Sequence, residues 1–327
     1  MSVVVGVVVT LDILIILLNI LMAIHLKKAR KGIARMLLSY LAVYDLCVGT
    51  IILPMRISSL IMDRRENNWP LGKLGCVLYG IATSMTVRST MWTIVLLAID
   101  RVAAVLAPFS YATRTKVWYG KAAGAAVIFY SSVMVVIMST TTKQYIRKDG
   151  KTVCLQSFRF VYASNTQHFF LFHRLVEFLS ANLIVMVLSL ATITKLLSRR
   201  RQRIQRIIRR VEQNLTCMVV FLLLAFLVCY LPFTFYLSIT MIPNKILSVG
   251  NEIEVTIGQA VMTLLTINNL LNPLVYLLFT AREAKKAESK RRSTLLRLVQ
   301  TKSAAVRRSL SMNTSFPKVG PEKGENS

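Results

Sequence analysis

The sequence predicts an all-α fold: a bundle of seven membrane-crossing helices, followed by a short amphipathic helix on the membrane surface. Three observations predict it. The chain is 54% hydrophobic, with a mean hydropathy of +0.56, more apolar than an ordinary soluble domain. The apolar residues gather in seven runs, roughly 3–25, 36–60, 76–106, 117–139, 169–197, 214–241 and 255–279, each of a length that spans a bilayer as a helix. The charge is lopsided, with 41 Lys and Arg against 14 Asp and Glu, a net +27. A soluble nucleic-acid binder would be this basic but would not carry such runs. Topology and anionic lipid account for the basic residues, and nucleic acid is excluded as the partner.

The first run starts almost at Met1 and carries Asn19. It lacks a basic leader and a small-residue cleavage site, so an uncleaved helix is expected rather than a signal peptide. Five basic residues follow it (Lys27, Lys28, Arg30, Lys31, Arg35), eight lie in Lys195–Arg210, and twelve lie from Arg282 to Lys323. By the positive-inside rule these segments are cytoplasmic, which puts the N-terminus outside and the C-terminus inside. A plasma-membrane, multi-pass protein is expected.

The second run carries Asp45 and Pro54. A carboxylate at mid-membrane is costly unless it faces other helices, water or an ion. The third run begins at Cys76, has Arg88 half-way along and closes on Asp100-Arg101. Arg88 needs a partner. An ion pair with Glu177 of the fifth run would supply one, and an acidic ligand group would supply another. The sixth run carries Phe226 and Cys229-Tyr230-Leu231-Pro232-Phe233, and the seventh Asn268-Asn269 and Asn272-Pro273-Leu-Val-Tyr276.

Of five cysteines, Cys47, Cys217 and Cys229 lie in apolar runs as expected free thiols. Cys76 and Cys154 fall on the outer, oxidising side, and a disulfide between them would tie the second outer loop to the top of the third helix. His25, His168 and His173 sit at membrane edges, and no Cys-x-x-Cys or histidine cluster suggests a metal site.

Composition breaks near Thr280. Residues 281–297, AREAKKAESKRRSTLLR, read as a basic amphipathic helix suited to the inner leaflet. The seven-helix domain is expected over 1–297, with a disordered cytoplasmic tail over 298–327. Arg307-Arg308-Ser309 in that tail would suit a basic-directed kinase, and phosphate there would recruit a regulatory partner.

These motifs, in order on seven apolar runs, resemble the rhodopsin-like (class A) G-protein-coupled receptors over residues 3 to about 297. The spacings match too: Cys76 to Arg101 is 25 residues, and Arg101 to Pro108 is 7. The resemblance implies a receptor, not an enzyme. It would bind an extracellular ligand and activate a heterotrimeric G protein when the sixth helix swings outward, with a kinase and an arrestin as partners of the tail.

By the same resemblance, Asp100 and Arg101 belong to G-protein coupling. Glu212, 20 residues before Pro232, would hold Arg101 at rest, unless it pairs locally with Arg209 and Arg210. Phe226, Tyr230, Pro232, Asn272, Pro273 and Tyr276 match the activation switch. Asn19, Asp45, Asn268 and Asn272 match a polar cluster where a sodium ion and water often sit; a purely structural hydrogen-bond network is the alternative. The ligand pocket is expected between the outer halves of the third helix (Thr83, Ser84, Val87, Arg88), the fifth (Glu177), the sixth (Tyr230, Phe233, Thr234) and the seventh (Met262, Thr266).

Departures from the family are Val102 after Asp100-Arg101, Tyr230 in place of a tryptophan, Phe129 as the nearest aromatic to a missing fourth-helix tryptophan, and a fifth helix without proline. Thr83 stands where amine receptors carry an aspartate, which argues against an amine ligand. No lysine lies in 255–279 to hold a retinal Schiff base. A transporter would show internal repeats, and none is found. A decoy receptor that binds without signalling stays open because of Val102.

Overall fold

The computed structural model describes residues 2–28, 32–62, 71–108, 110–111, 117–139, 143–146, 152–155, 165–200, 208–241 and 252–313. The elements are α1 (Ser2–Lys28), α2 (Ile33–Cys47), a π-helical turn (Val48–Ile52), α3 (Leu53–Met62), α4 (Gly72–Leu106), α5 (Val117–Ser139), β1 (Lys143–Ile146), β2 (Thr152–Leu155), α6 (Asn165–Arg200), α7 (Ile208–Met241) and α8 (Glu252–Asn313). Among the described residues, seven helical stretches are long and apolar enough to cross a membrane: Gly6–Lys28, Ile33–Ser58, Leu74–Leu106, Trp118–Val136, Leu175–Ser198, Asn214–Tyr236 and Ala260–Lys285. They are the seven predicted runs, called here the first to seventh spans. Helices are the expected form, because in hydrocarbon every backbone polar group must be satisfied within its own segment.

The third span is central and packs against the second, fourth, fifth and sixth. Ile15, Val48, Ile52 and Leu53 form a buried apolar cluster with Tyr79, Ala82 and Leu270 against it, joining the first, second, third and seventh spans. Small residues set the closest approaches, as is usual where helices associate in lipid. A Cβ added at Gly124 would come within 2.2 Å of the Tyr40 ring, and one at Gly120 within 2.6 Å of the Met36 methyl. The fourth span therefore meets the second along Gly120 and Gly124. In the same way Gly49 in the π-helical turn makes room for the first span, where Ile16 and Asp12 lie.

The π-helical turn lies just before Pro54. Proline removes a backbone donor, and the wider turn accommodates the break. An α-helix advances about 100° per residue, so the wider turn also resets the face on which Arg56 projects. Such turns occur mostly as short interruptions at functional positions.

Two departures from expectation concern the loops and the end of the chain. β1 and β2 pair antiparallel, with Gln144 opposite Cys154, a hairpin the all-α reading did not contain. The chain also divides into two compact units, 1–277 and 278–327, rather than at 297. Helix is assigned through Asn313, where the sequence predicts disorder from 298. The reason is local: residues 281–310 are rich in Ala, Leu, Lys, Arg and Glu, strong helix formers. Glu288 also accepts from Arg292 at 2.7 Å, an i,i+4 pair. Of the tail positions singled out, Ser309 lies on α8, and residues 314–327 lie outside the described ones.

Candidate functional site

A cleft of about 520 Å³, counting its open mouth, lies between the second, third, sixth and seventh spans. Because consecutive spans run in opposite directions, Arg56, Tyr79 and Met262 lie at one end of it and Val48, Thr90 and Asn269 at the other. Thr83, Val87, Tyr230, Met262 and Thr266 line it as the sequence predicts. Arg56 supplies its charge: one terminal nitrogen donates to Thr266 Oγ1 at 3.5 Å and the other to Thr263 Oγ1 at 3.4 Å.

The expected contribution of the fifth helix is corrected. Arg88, Glu177, Ser84, Phe233 and Thr234 do not line the cleft. Arg88 and Glu177 instead form an ion pair, Nε to Oε2 at 3.0 Å, with both side chains 2% exposed. The second carboxylate oxygen, Oε1, accepts from Trp92 Nε1 at 3.0 Å and from the Tyr130 hydroxyl at 3.1 Å. One buried carboxylate thus ties the third, fourth and fifth spans, and its several donors offset its desolvation. Thr234 is used elsewhere, accepting from Asn182 Nδ2 at 2.9 Å between the fifth and sixth spans. Phe233 packs edge-on against Phe178 at 5.1 Å.

Tyr230 is the link out of the cleft. It is 2% exposed and stacks on Phe226 at 4.2 Å, one turn deeper on the same span and fully buried. Both lie on α7, which carries Pro232 within it.

One turn below the cleft lies the predicted polar cluster, since Asp45 precedes Val48 by three residues and Asn272 follows Asn269 by three. Asn19, Asp45, Asn268 and Asn272 are all fully buried. Asn272 Nδ2 donates to Asp45 Oδ2 at 3.0 Å, and Asn19 Nδ2 donates to the Ile15 carbonyl at 2.9 Å and the Asn269 carbonyl at 3.2 Å. The oxygens Oδ1 of Asn19, Asp45, Asn268 and Asn272 have no hydrogen-bond partner among the described residues. Oxygen acceptors are the donor type a hard cation takes. Among the described residues, no group of three or more His, Cys, Asp or Glu gathers as a metal site. Further along, the Tyr276 hydroxyl lies 3.0 Å from His25 Nδ1, joining the seventh span to the first.

At the far end of the third span Arg101 is held locally. Its Nε donates to Asp100 Oδ2 at 2.9 Å, and a terminal nitrogen reaches the same oxygen. The Tyr111 hydroxyl donates to Asp100 Oδ1 at 2.6 Å and accepts from Arg101 at 3.4 Å. Glu212 lies on α7, but its side chain is outside the described ones. Cys76 is disulfide-bonded and Cys47, Cys217 and Cys229 are free. Cys154, the expected partner of Cys76, lies on β2, with its side chain also outside the described ones.

Sequence reasoning missed Arg56, Trp92, Tyr130, Tyr111 and Asp12. Arg56 and Asp12 carried a usable signal, since each is an ionisable residue inside an apolar run, the same rule that singled out Arg88. Asp12 is buried beside Gly49. The aromatic residues carried none, because an indole or phenol in a membrane run reads as apolar filling.

The model of the family described as "7 transmembrane receptor (rhodopsin family)" matches residues 16–276. The chain is 25% identical over 265 residues to the human uracil nucleotide/cysteinyl leukotriene receptor, covering 78% of this chain and 66% of the relative. It is 26% identical over 257 residues to the Xenopus laevis type-1 angiotensin II receptor B, covering 75% and 66%. It is 19% identical over 243 residues to the rat somatostatin receptor type 1, covering 72% and 58%. The chain thus spans about two thirds of the length of the curated relatives it matches.

Proposed function

The chain belongs to the rhodopsin family of seven-transmembrane receptors, a multi-pass membrane protein and not an enzyme, and from that premise we propose that it binds an extracellular ligand in the cleft and activates a heterotrimeric G protein. The observation that carries this reading is the stack of Tyr230 on Phe226. Tyr230 lines the cleft, and both residues ride on the proline-containing sixth span. A ligand that displaces the Tyr230 ring moves Phe226 with it. Both then bias the sixth span outward, opening the surface beside Arg101 to the G protein. A ligand shifts this equilibrium only by binding the open state better, and Tyr230 is where that difference would arise.

The remaining parts follow from the same premise. The protein sits in the plasma membrane with its N-terminus outside, on the strength of the basic connections. Cys76 pairs with Cys154, which brings β2 to the start of α4. Glu212 supplements Asp100 in holding Arg101 at rest. Sodium, a hard cation, would be held by Asp45 with the amide oxygens of Asn19, Asn268 and Asn272, where it would favour the resting packing. A kinase acting near Ser309, and an arrestin, would end signalling.

The test is nucleotide exchange on purified heterotrimeric G proteins by the full chain in lipid nanodiscs. Basal exchange above the level of Arg101→Ala is expected, and Tyr230→Ala should lower it. Exchange indistinguishable from that of Arg101→Ala, with every G-protein class tried, would sink the signalling reading in favour of a decoy.

A further inference from the structure

The seventh span is weakened at Pro273, which lies inside its helix. Proline has no N–H, so the carbonyl of Asn269, four residues earlier, loses the donor that an unbroken helix gives it. Asn19 of the first span supplies one instead, its Nδ2 donating to that carbonyl at 3.2 Å. The first span meets the seventh again beyond the proline. There His25 Nδ1 lies 3.0 Å from the Tyr276 hydroxyl. The two rings also touch edge to face, with centroids 5.7 Å apart and planes at 73°. The first span thus holds the seventh on both sides of its break.

The partners in the contact beyond the proline differ. Tyr276 is 3% exposed, whereas His25 is exposed, in the turn that also carries Lys27 and Lys28. An exposed imidazole that loses its partner finds another in water. A buried phenol does not, and a hydroxyl left unmet costs more than the bond itself contributes. Tyr276 therefore leaves His25 only by turning to another partner, and the segment after Pro273 turns with it. Arg35 of the second span acts on the same hydroxyl through its charge, and Tyr276 has further contacts besides. What His25 adds to these restraints is a tie to the first span. Alternate spans run in the same direction, so His25, Tyr276 and Arg101 lie at one end of the bundle. The packing in which His25 holds Tyr276 is also the one in which Asp100 engages Arg101.

We propose that His25 is a positioning residue for activation: through its hydrogen bond it holds Tyr276 to the first span, keeps the segment beyond Pro273 in its resting packing, and so lowers basal signalling. This rests on the receptor reading above and names a restraint on its resting state. Such a bond acts on the equilibrium only if it is present at rest and lost in the open packing. One ordinary hydrogen bond with that difference shifts the equilibrium about fivefold.

The test separates the hydrogen bond from the ring contact. His25→Phe keeps an aromatic edge beside Tyr276 and removes the nitrogen. His25→Asn places an amide near the position of Nδ1 and removes the ring. Both are made in the full chain in lipid nanodiscs. One readout is amide hydrogen exchange over residues 274–277, and the other is basal nucleotide exchange on heterotrimeric G proteins. His25→Phe should speed hydrogen exchange there and raise basal nucleotide exchange about fivefold. His25→Asn should stay close to the wild type in both. A contact that served the fold alone would lower thermal stability in His25→Phe and leave nucleotide exchange where it was.

If hydrogen exchange over residues 274–277 is the same in His25→Phe as in the wild type, the proposal is overturned. It is overturned equally if hydrogen exchange rises while nucleotide exchange stays level or falls, or if His25→Asn behaves as His25→Phe does. Should His25→Phe fail to express, His25→Leu removes the same nitrogen and is scored in the same way. The receptor reading is scored separately, on the wild type. If wild-type nucleotide exchange does not exceed that of Arg101→Ala, the signalling reading fails, and hydrogen exchange alone decides whether His25 restrains the seventh span.

Discussion

Arg56 and Arg88 are the same residue type in the same bundle, and their surroundings differ in every respect that matters. Arg88 is 2% exposed and bonded to a carboxylate that three donors share. Arg56 is half-buried at a cleft and bonded to threonine hydroxyls at 3.4 and 3.5 Å. The first arrangement is closed by a shared carboxylate and holds three helices together. The second reaches neutral hydroxyls at the edge of a cleft. A charge inside a membrane segment therefore does not by itself mark a binding site; what its partners are decides whether it is structure or site.

The largest effect tests the buried ion pair. Arg88→Met or Glu177→Gln alone leaves a buried charge without its partner, at a cost of about 3–5 kcal/mol. Each should sharply lower folded surface expression. The double substitution should recover much of it, since no lone charge remains. A double-mutant cycle on thermal stability reads the coupling directly. A coupling near zero would mean that Arg88 is not neutralised by Glu177, and the contrast with Arg56 would collapse.

A smaller effect tests whether the centre is a network and not a pair. Trp92→Phe and Tyr130→Phe each remove one donor to Glu177 Oε1 and leave the charge pair intact. Hydrogen bonds to a charged group contribute about 1.5–3 kcal/mol, and the oxygen keeps one donor in either variant, so the lower end is expected. Loss of both donors should cost more than the two single losses added together. Simple additivity would show that the two bonds act independently.

How far these regions were legible in the sequence follows from the same chemistry. The seven spans were, because a bilayer allows few alternatives to long apolar helices. The Asp45–Asn272 contact and the Arg88–Glu177 pair were too, because polar and ionisable groups in such helices must find one another. The position of the cleft was only partly legible. Five expected lining residues are there, but the fifth helix contributes none, since Glu177 turns to Arg88. The π-helical turn before Pro54 leaves no periodic signal, and it sets the face on which Arg56 projects. The Gly120-x-x-x-Gly124 spacing was in plain view and went unused. Tyr111 and Trp92 were illegible, because their polar tips matter only once a carboxylate lies within reach.

A second comparison sets Arg56 against Arg101, which is held by its own neighbour. Tyr111 donates to Asp100 at 2.6 Å and so helps fix the carboxylate that Arg101 leans on. Tyr111→Phe should free Arg101 in part and raise basal nucleotide exchange a fewfold, consistent with a coupling of about 1 kcal/mol. Glu212→Ala should raise it as well. If Tyr111→Phe leaves basal exchange unchanged at equal surface expression, the local hold on Arg101 does not bias the resting state.

The smallest expected effect is the sharpest test of the contrast between the two arginines. Thr266→Val keeps the shape of the side chain and removes the hydroxyl that accepts from Arg56 at 3.5 Å and donates to the Met262 carbonyl at 2.9 Å. In a closed site this would leave a guanidinium nitrogen stranded, at about 1–3 kcal/mol or more. In a cleft open to water, a solvent molecule takes the place of the lost oxygen at little net cost. The Met262 carbonyl also keeps its helical bond. The thermal stability of Thr266→Val in nanodiscs should therefore fall by less than about 1 kcal/mol, below the loss from Trp92→Phe. The order matters more than the size. If Thr266→Val destabilises the protein more than Trp92→Phe, Arg56 depends on its threonines as Arg88 depends on Glu177, and the cleft is part of the packed core.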